Sequence, residues 1–211
     1  MALSDRDFLV FGGWGGLSML NDLVLYNSET FAFTSIAEQS VSPEARKGAT
    51  LMAIGTETLL FGGETDDGRR LQDLWSLSEE IGWQRLQVVG ESPGRRSFHA
   101  AAVSGHRMCI HGGRHGDGWL LNDMWCYDVY SHSWSEIETG RAPPARMGHT
   151  MIALSGGSQW LIFGGTGADD VVSDTTWTVD LQVDSTWKQI SCRGASPSPR
   201  KGHGAAQIRV G

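Results

Sequence analysis

Positive charge is scarce in this chain: 17 lysines and arginines stand against 24 aspartates and glutamates, a net charge of −7. The basic residues come singly or in pairs such as Arg69-Arg70 and Arg95-Arg96. A groove that tracks phosphates needs them clustered, so nucleic acid is excluded as a partner. No apolar run approaches the roughly 18 residues that span a bilayer, and the start, Met1-Ala2-Leu3-Ser4-Asp5-Arg6-Asp7, has no apolar signal core. No membrane role is therefore expected, and the cytoplasm is the expected location, with the nucleus as the alternative. Cysteine is limited to Cys109, Cys126 and Cys192, an odd number without C-x-x-C spacing. They are expected to be reduced, packed thiols, with an oxidised pair as the alternative. Asn27-Ser28-Glu29 and Asn122-Asp123-Met124 both miss the glycosylation pattern. No stretch sustains a 3.6-residue period, so helix is expected to be essentially absent.

What the chain has in excess is glycine and tryptophan, 28 and nine residues. That mix suits short strands, tight turns and large aromatics between sheets. The order of these residues is periodic. A short apolar run ends in paired glycines four times, at Gly12-Gly13, Gly62-Gly63, Gly112-Gly113 and Gly164-Gly165. A polar-Asp step follows at Asn21-Asp22, Gln72-Asp73, Asn122-Asp123 and Ser173-Asp174, each leading into a second apolar strand. A large aromatic recurs at Phe33, Trp83, Trp134 and Trp187. A proline-containing loop then leads to Arg46-Lys47-Gly48, Arg96-Ser97-Phe98-His99, Arg146-Met147-Gly148-His149 and Arg200-Lys201-Gly202-His203. Markers recurring in one order at about fifty residues define a repeated unit of four short strands. Glycine tolerates a positive φ, which lets the chain turn beside a neighbouring backbone. Each buried indole contributes on the order of 4–6 kcal/mol as an upper bound. A lone four-stranded unit cannot cover both its faces, whereas stacking units about an axis does.

The paired glycines, the Asn-Asp step, the spaced tryptophan and the closing Arg-x-Gly-His resemble the kelch repeat, over nearly the whole chain. The resemblance implies an all-β, kelch-type β-propeller of about four blades of four antiparallel strands in a single domain. The expected divisions are a partial blade over residues 1–42, blades over 43–93, 94–144 and 145–199, and the first strand of a next blade over 200–211. Met1–Ser4 line up with Ile152–Ser155, late in an innermost strand. Two arrangements stay open: a small ring closed by pairing the C-terminal strand with the first blade, or a segment of a longer array. Local departures are Ala49 where other units have His, Phe33 for Trp, and His111 where the others have Phe.

Several constellations touch on chemistry. His99, His149 and His203 hold equivalent places and could in principle gather as metal ligands, but an element repeated in register fits the propeller's own hydrogen bonding better. His106, His111 and His115 flank the third diglycine with Asp117 nearby; solvated turn residues are the plainer account, a weak metal or proton-transfer site the sharper one. Some propellers are enzymes. The copper-radical oxidases of this architecture need ligating Tyr and His, yet Tyr26 and Tyr127 stand where Leu77 and Val179 stand elsewhere, which says packing. The Glu-x-x-x-Asp-x-x-x-His set of the iron-dependent kelch specifier proteins is absent at every Glu. No Walker A, H-E-x-x-H or G-x-S-x-G occurs. No cofactor, metal or catalytic residue is expected.

Loop length is asymmetric. The segments after each diglycine, 14–20, 64–71, 114–121 and 166–172, and the proline-containing ones before each Arg share one face, while turns such as Ser104-Gly105-His106 on the other face are short. Polar loops on a rigid scaffold are where recognition concentrates. That face carries Trp14, Arg69, Arg70, Arg114, His115, Asp117, Trp119, Asp169 and Asp170, and Trp and Arg dominate interface energetics. The competing account tucks Trp14 and Trp119 between blades. The function expected is a non-catalytic scaffold binding a protein or peptide, with further blades or domains in a longer native chain. The alternatives are a metal-dependent or carbohydrate-processing enzyme, or a structural segment of a larger kelch protein.

Overall fold

The computed structural model describes residues 7–37, 39–154 and 157–208, so the innermost-strand assignment of Met1–Ser4 lies outside the described residues. The described chain is built of strands and turns in four antiparallel sheets, a kelch-type β-propeller of about four blades. The first sheet holds β1 (Asp7–Trp14), β2 (Met19–Asn27) and β3 (Ala32–Ile36). The second holds β4 (Thr50–Ile54), β5 (Glu57–Phe61), β6 (Leu74–Ser78) and β7 (Gly82–Arg85). The third holds β8 (Arg96–Ser97), β9 (Ala100–Ser104), β10 (Arg107–His115), β11 (Leu120–Asp128) and β12 (Ser133–Glu136). The fourth holds β13 (Thr150–Leu154), β14 (Gln159–Phe163), β15 (Thr176–Asp180) and β16 (Lys188–Ile190).

In the first and third sheets the strands run on past the diglycine. Trp14 pairs with Met19 and Arg114 with Leu120, each after a register shift at the glycines. Trp14, Arg114 and His115 therefore sit on strands rather than in loops, because the residues after the glycines find ladder partners across a tight hairpin.

The core lies between sheets. One cluster joins the first and second sheets, another the second and third, a third the third and fourth. Trp83, Trp134 and Trp187 are buried in these seams, each meeting the ring that precedes the previous blade's diglycine: Phe11–Trp83 at 5.2 Å, Phe61–Trp134 at 5.0 Å and His111–Trp187 at 5.3 Å. Edge and tilted contacts of this kind add to simple burial. Phe33, the fourth member of the series, is 64% exposed.

A recurrent arginine fastens each seam. The Arg96 backbone belongs to the second sheet's neighbourhood: its N–H donates to Leu71 O at 2.9 Å and its carbonyl accepts from Gly63 N–H at 2.9 Å. Its guanidinium instead grips the third sheet, donating to Gly112 O at 3.1 Å and to both oxygens of Asp123 at 2.8 and 2.7 Å. Arg46 repeats this, with its backbone on Leu20 and Gly13 and its guanidinium on Gly62 O and Asp73. A Cβ on Gly62 or Gly112 would come within 2.7 or 2.8 Å of the next arginine's carbonyl, and both glycines have φ near +60° (66° and 62°), so the turn requires glycine on both counts. A second ladder links the innermost segments: Phe98 N–H donates to Gly48 O, Gly148 N–H to Phe98 O, and Gly202 N–H to Gly148 O.

In the fourth sheet the partner changes. Arg146 reaches Gly164 O at 2.9 Å and the Thr175 hydroxyl at 3.3 Å, so Thr175, not Asp174, holds the place of Asp73 and Asp123. Trp177 confirms the alignment, since its indole donates to Thr175 as those of Trp75 and Trp125 donate to Asp73 and Asp123. The charge of Arg146 is thus buried, at 4% exposure, beside a neutral acceptor, and burial pulls its pKa down.

The cysteine expectation is overturned. Cys109 and Cys126 are disulfide-bonded, and only Cys192 is free. The two face each other across β10 and β11, in a register that C-x-x-C spacing does not capture. This bond withdraws the cysteine argument for a reducing compartment.

Two outcomes follow. Thr175→Asp should stabilise the protein by roughly 1–2 kcal/mol, since it gives Arg146 a charged acceptor; no gain in the urea midpoint would refute the pairing. In denaturant without reductant, an alkylating agent should label one cysteine, rising to three after reduction, and three from the start would contradict the bond.

Candidate functional site

Each histidine of the repeated element works in a seam. His99 Nε2 lies 2.8 Å from the Thr50 hydroxyl and His203 Nε2 lies 3.0 Å from that of Thr150, each reaching the preceding blade. In the seam between, Ala100 stands where Thr50 and Thr150 stand and offers no hydroxyl. His149 Nε2 instead meets His111 Nδ1 at 3.0 Å, and His111 pairs with Ala100 across β9 and β10. The departure at His111 is therefore a compensated change, in which an imidazole replaces both the phenyl ring and the missing hydroxyl. Fully buried in the core, His111 is not the solvated turn residue expected of it. His106 stacks on Tyr130 and pairs with Asp128, while His115 packs on Trp119, so the three histidines of this unit stand in different places. Among the described residues no group of three or more His, Cys, Asp or Glu is arranged to hold a metal.

Burial drives the pKa of His99 and of His111 down to about 3, and pulls His149 well below its ordinary range with help from its charged neighbours. They are neutral in the fold.

The segments that follow the diglycines are stitched from blade to blade in the first three sheets. Both Asp66 carboxylate oxygens accept from Met19 N–H, at 3.0 and 3.1 Å. Arg70 lies between Glu64, at 3.2 Å, and the carbonyl of Gly116, at 3.2 Å. Gly116 N–H in turn donates to Arg95 O at 3.0 Å. Arg69 bridges Glu44, at 2.7 Å, and Asp67, at 2.9 Å. The Thr65 hydroxyl and the Arg69 guanidinium hold the Asp67 pKa down to about 2.

These contacts bound a cleft of about 480 Å³ between the second and third blades, lined among others by Arg69, Arg70, Gln72, Arg95, His115 and Asp117. Four of the expected site residues thus converge. Trp119 joins them at the edge, stacked on His115 at 4.3 Å and 56% exposed, and Arg114 folds back onto Gly118 O at 3.1 Å. Trp14 is likewise 56% exposed, with the Lys47 ammonium 5.7 Å from its ring, so neither tryptophan tucks between blades. Asp169 and Asp170 stay apart: Asp169 caps Val171 N–H, and Asp170 takes φ 60° in the same turn of the fourth blade.

In the sequence Arg95 is only half of a basic pair with Arg96; in the structure Arg96 is a buried seam residue while Arg95 is exposed in the cleft, and no salt bridge to it occurs among the described residues. The repeat position of Arg96 was the signal that separates them.

The repeated seam decides the family, and comparison of sequences agrees: the profile of the KLHDC2/KLHL20/DRC7 Kelch-repeats domain matches residues 1–209. The chain belongs to the kelch-repeat family. It is 32% identical over 192 residues to "F-box/kelch-repeat protein At1g51550" of Arabidopsis thaliana, covering 82% of this chain and 40% of that protein. It is also 31% identical over 180 residues to "Tip elongation aberrant protein 1" of Schizosaccharomyces pombe, covering 80% and 15%. "Adagio-like protein 3" of Oryza sativa subsp. japonica is 30% identical over 219 residues, covering 96% and 34%. This kelch-repeat chain therefore spans well under half the length of these relatives.

The histidine seams set a pH dependence. Their folded pKa values lie below the unfolded value near 6.5, so the unfolded chain binds more protons and stability is lost as pH falls below about 6.5. Three such histidines together remove about 4 kcal/mol between pH 7 and about pH 5.5. Urea unfolding at the two pH values should show a loss of that size, and equal midpoints would mean these imidazoles are protonated in the fold.

Proposed function

We propose that this kelch-repeat domain is a non-catalytic recognition module that docks a protein or peptide partner on its long-loop face, centred on the cleft between the second and third blades. The observation that carries this is the grouping at that cleft of an exposed indole held rigid by stacking, Trp119 on His115, with the exposed guanidinium of Arg95. A preset aromatic platform loses little conformational freedom on binding, and tryptophan with arginine is the pairing that most often dominates interface energy. Arg69 and Arg70 are engaged with Glu44, Asp67 and Glu64, which leaves Arg95 as the cation of the cleft offered to a partner. A segment bearing an acidic side chain beside an apolar one fits this arrangement. Trp14 beside Lys47 supplies a second aromatic contact on the same face.

The relatives' greater length supports a reading in which this module sits within a longer protein, whose further blades or domains would set where the partner is brought.

Partners cross-linked to the wild-type domain in cells and identified by mass spectrometry provide the test. Trp119→Ala combined with Arg95→Ala should lower recovery of a specific partner at least about tenfold, the effect of removing roughly 1.4 kcal/mol of hot-spot binding. Substitution on the short-turn face, Glu57→Ala, should leave recovery unchanged. Recovery insensitive to the double change would place recognition elsewhere.

A further inference from the structure

Buried histidine is spread unevenly over the three seams. The chain has no histidine before His99, so the seam between the first and second sheets holds none, and Ala49 stands at the repeat position. Between the second and third sheets His99 is buried against the Phe61 ring and the Thr50 hydroxyl. Between the third and fourth sheets there are two. His111 and His149 are both buried, joined at 3.0 Å, with the Trp187 ring 5.3 Å from that of His111.

The same seam lacks a clamp carboxylate. Arg46 and Arg96 reach Asp73 and Asp123, whereas Arg146 crosses to a carbonyl and a hydroxyl, so its positive charge has no buried counterion. The charged and titratable groups around the histidine pair are Arg146, Arg96, Asp123, His99 and His203. Asp123 is the carboxylate of that set, and the Arg96 guanidinium and the Trp125 indole already occupy its oxygens. The strands packed against the pair present Ala100 from β9, Met124 from β11, Met151 from β13, Ile162 from β14 and Trp177 from β15, all apolar. A proton added at His149 Nδ1, which is buried, would find no acceptor among the described residues. Two imidazoles beside an uncompensated guanidinium are therefore held as neutral bases, one donating to the other.

We propose that the seam between the third and fourth sheets is an acid-sensitive joint, which opens in mild acid ahead of the other two with His111 and His149 as its proton acceptors. The closed seam keeps both rings neutral, and an opened seam gives them to water, where each binds a proton below about pH 6.5. Opening thus takes up protons, and it becomes easier as pH falls. Between pH 7 and about pH 5.5, each histidine released in this way raises the opening constant about eightfold. The seam of Ala49 is then unmoved, that of His99 shifts about eightfold, and that of His111 with His149 about seventyfold. The cleft between the second and third blades lies on a different seam, so the joint loosens the fourth blade while the cleft keeps its shape.

Hydrogen exchange on the purified chain at these two pH values tests this, with rates expressed as protection factors to remove the intrinsic effect of pH. Each seam has an amide bonded across it. Trp83 N–H donates to Gln39 Oε1 across the first and Phe98 N–H to Gly48 O across the second. Trp187 N–H donates to Gly140 O, and Gly148 N–H to Phe98 O, across the third. On acidification, protection should fall about seventyfold at Trp187 and Gly148, about eightfold at Phe98, and not at Trp83. His111→Gln keeps a hydrogen-bonding side chain without a titrating ring, and should cut the fall at Trp187 and Gly148 to about eightfold. Should that variant be unfolded at pH 7 by circular dichroism, His111→Phe with Ala100→Thr replaces it with the same expectation, since it rebuilds the arrangement of the neighbouring seam. Equal falls across the three seams, no fall at Trp187 and Gly148, or a fall in the variant as large as in wild type would overturn the proposal.

Discussion

Every seam in this molecule depends on one arginine that belongs to two blades at once. Its backbone is bonded to the diglycine turn behind it and its guanidinium to the glycine carbonyl ahead, together with a carboxylate for Arg46 and Arg96 and the Thr175 hydroxyl for Arg146. A buried guanidinium is tolerable only when its donors are met in good geometry. Arg46 and Arg96 are 1% exposed, and each sends its Nε–H to a carbonyl two residues earlier, so the charge is held by its own loop, one blade and the next. The carboxylates answer in kind: burial alone would raise the pKa values of Asp73 and Asp123, but the guanidinium hydrogen bonds and charge outweigh it and hold both below the usual range. Blade spacing is thereby fixed by a polar clamp, and the indoles fill what the clamp leaves.

The clamp also explains what the sequence made legible. Diglycine, polar-Asp and Arg are the conspicuous markers because they are the three parts of one contact, in which glycine meets the steric demand and Asp, or Thr175 in the fourth sheet, accepts from the guanidinium. The aromatic positions could be read as well, since Trp83, Trp134 and Trp187 fall where a seam needs volume. Elsewhere the conspicuous motif misled. Ser173-Asp174 looks like the polar-Asp step, yet Thr175 holds that place, as far after Gly164 as Asp73 is after Gly62 and Asp123 after Gly112. The Cys109–Cys126 bond was hidden for a related reason: cross-strand neighbours are distant in sequence, and only the register of β10 on β11 reveals them. His111 looked like turn chemistry and proved to be a repair of the seam that Ala100 leaves short of a hydroxyl.

The candidate site was half legible. Loop asymmetry groups Arg69, Arg70, His115, Asp117 and Trp119 on one face, and the structure gathers them in one cleft or at its edge, but loop length does not show which cations are already paired. In the structure Arg69 is paired with Glu44 and Asp67 and Arg70 with Glu64, whereas Arg95, next to the clamp residue Arg96, has no salt bridge among the described residues, a distinction that residue type alone does not carry. A rigid scaffold is what allows the distinction to matter. Hydrogen bonds such as Met19 to Asp66 and Arg70 to Gly116 tie one blade's tip to the next, so the face is a single surface of fixed shape rather than a set of independent loops.

Native-state hydrogen exchange on Arg96→Met tests the shared clamp most directly. Removing one partner of such a buried pair costs roughly 3–5 kcal/mol. If the arginine unites two blades, the amides of Gly63 in the second sheet and of Trp125 in the third lose protection together and by similar factors. Loss confined to the third sheet, with Gly63 protected as in wild type, would contradict the account.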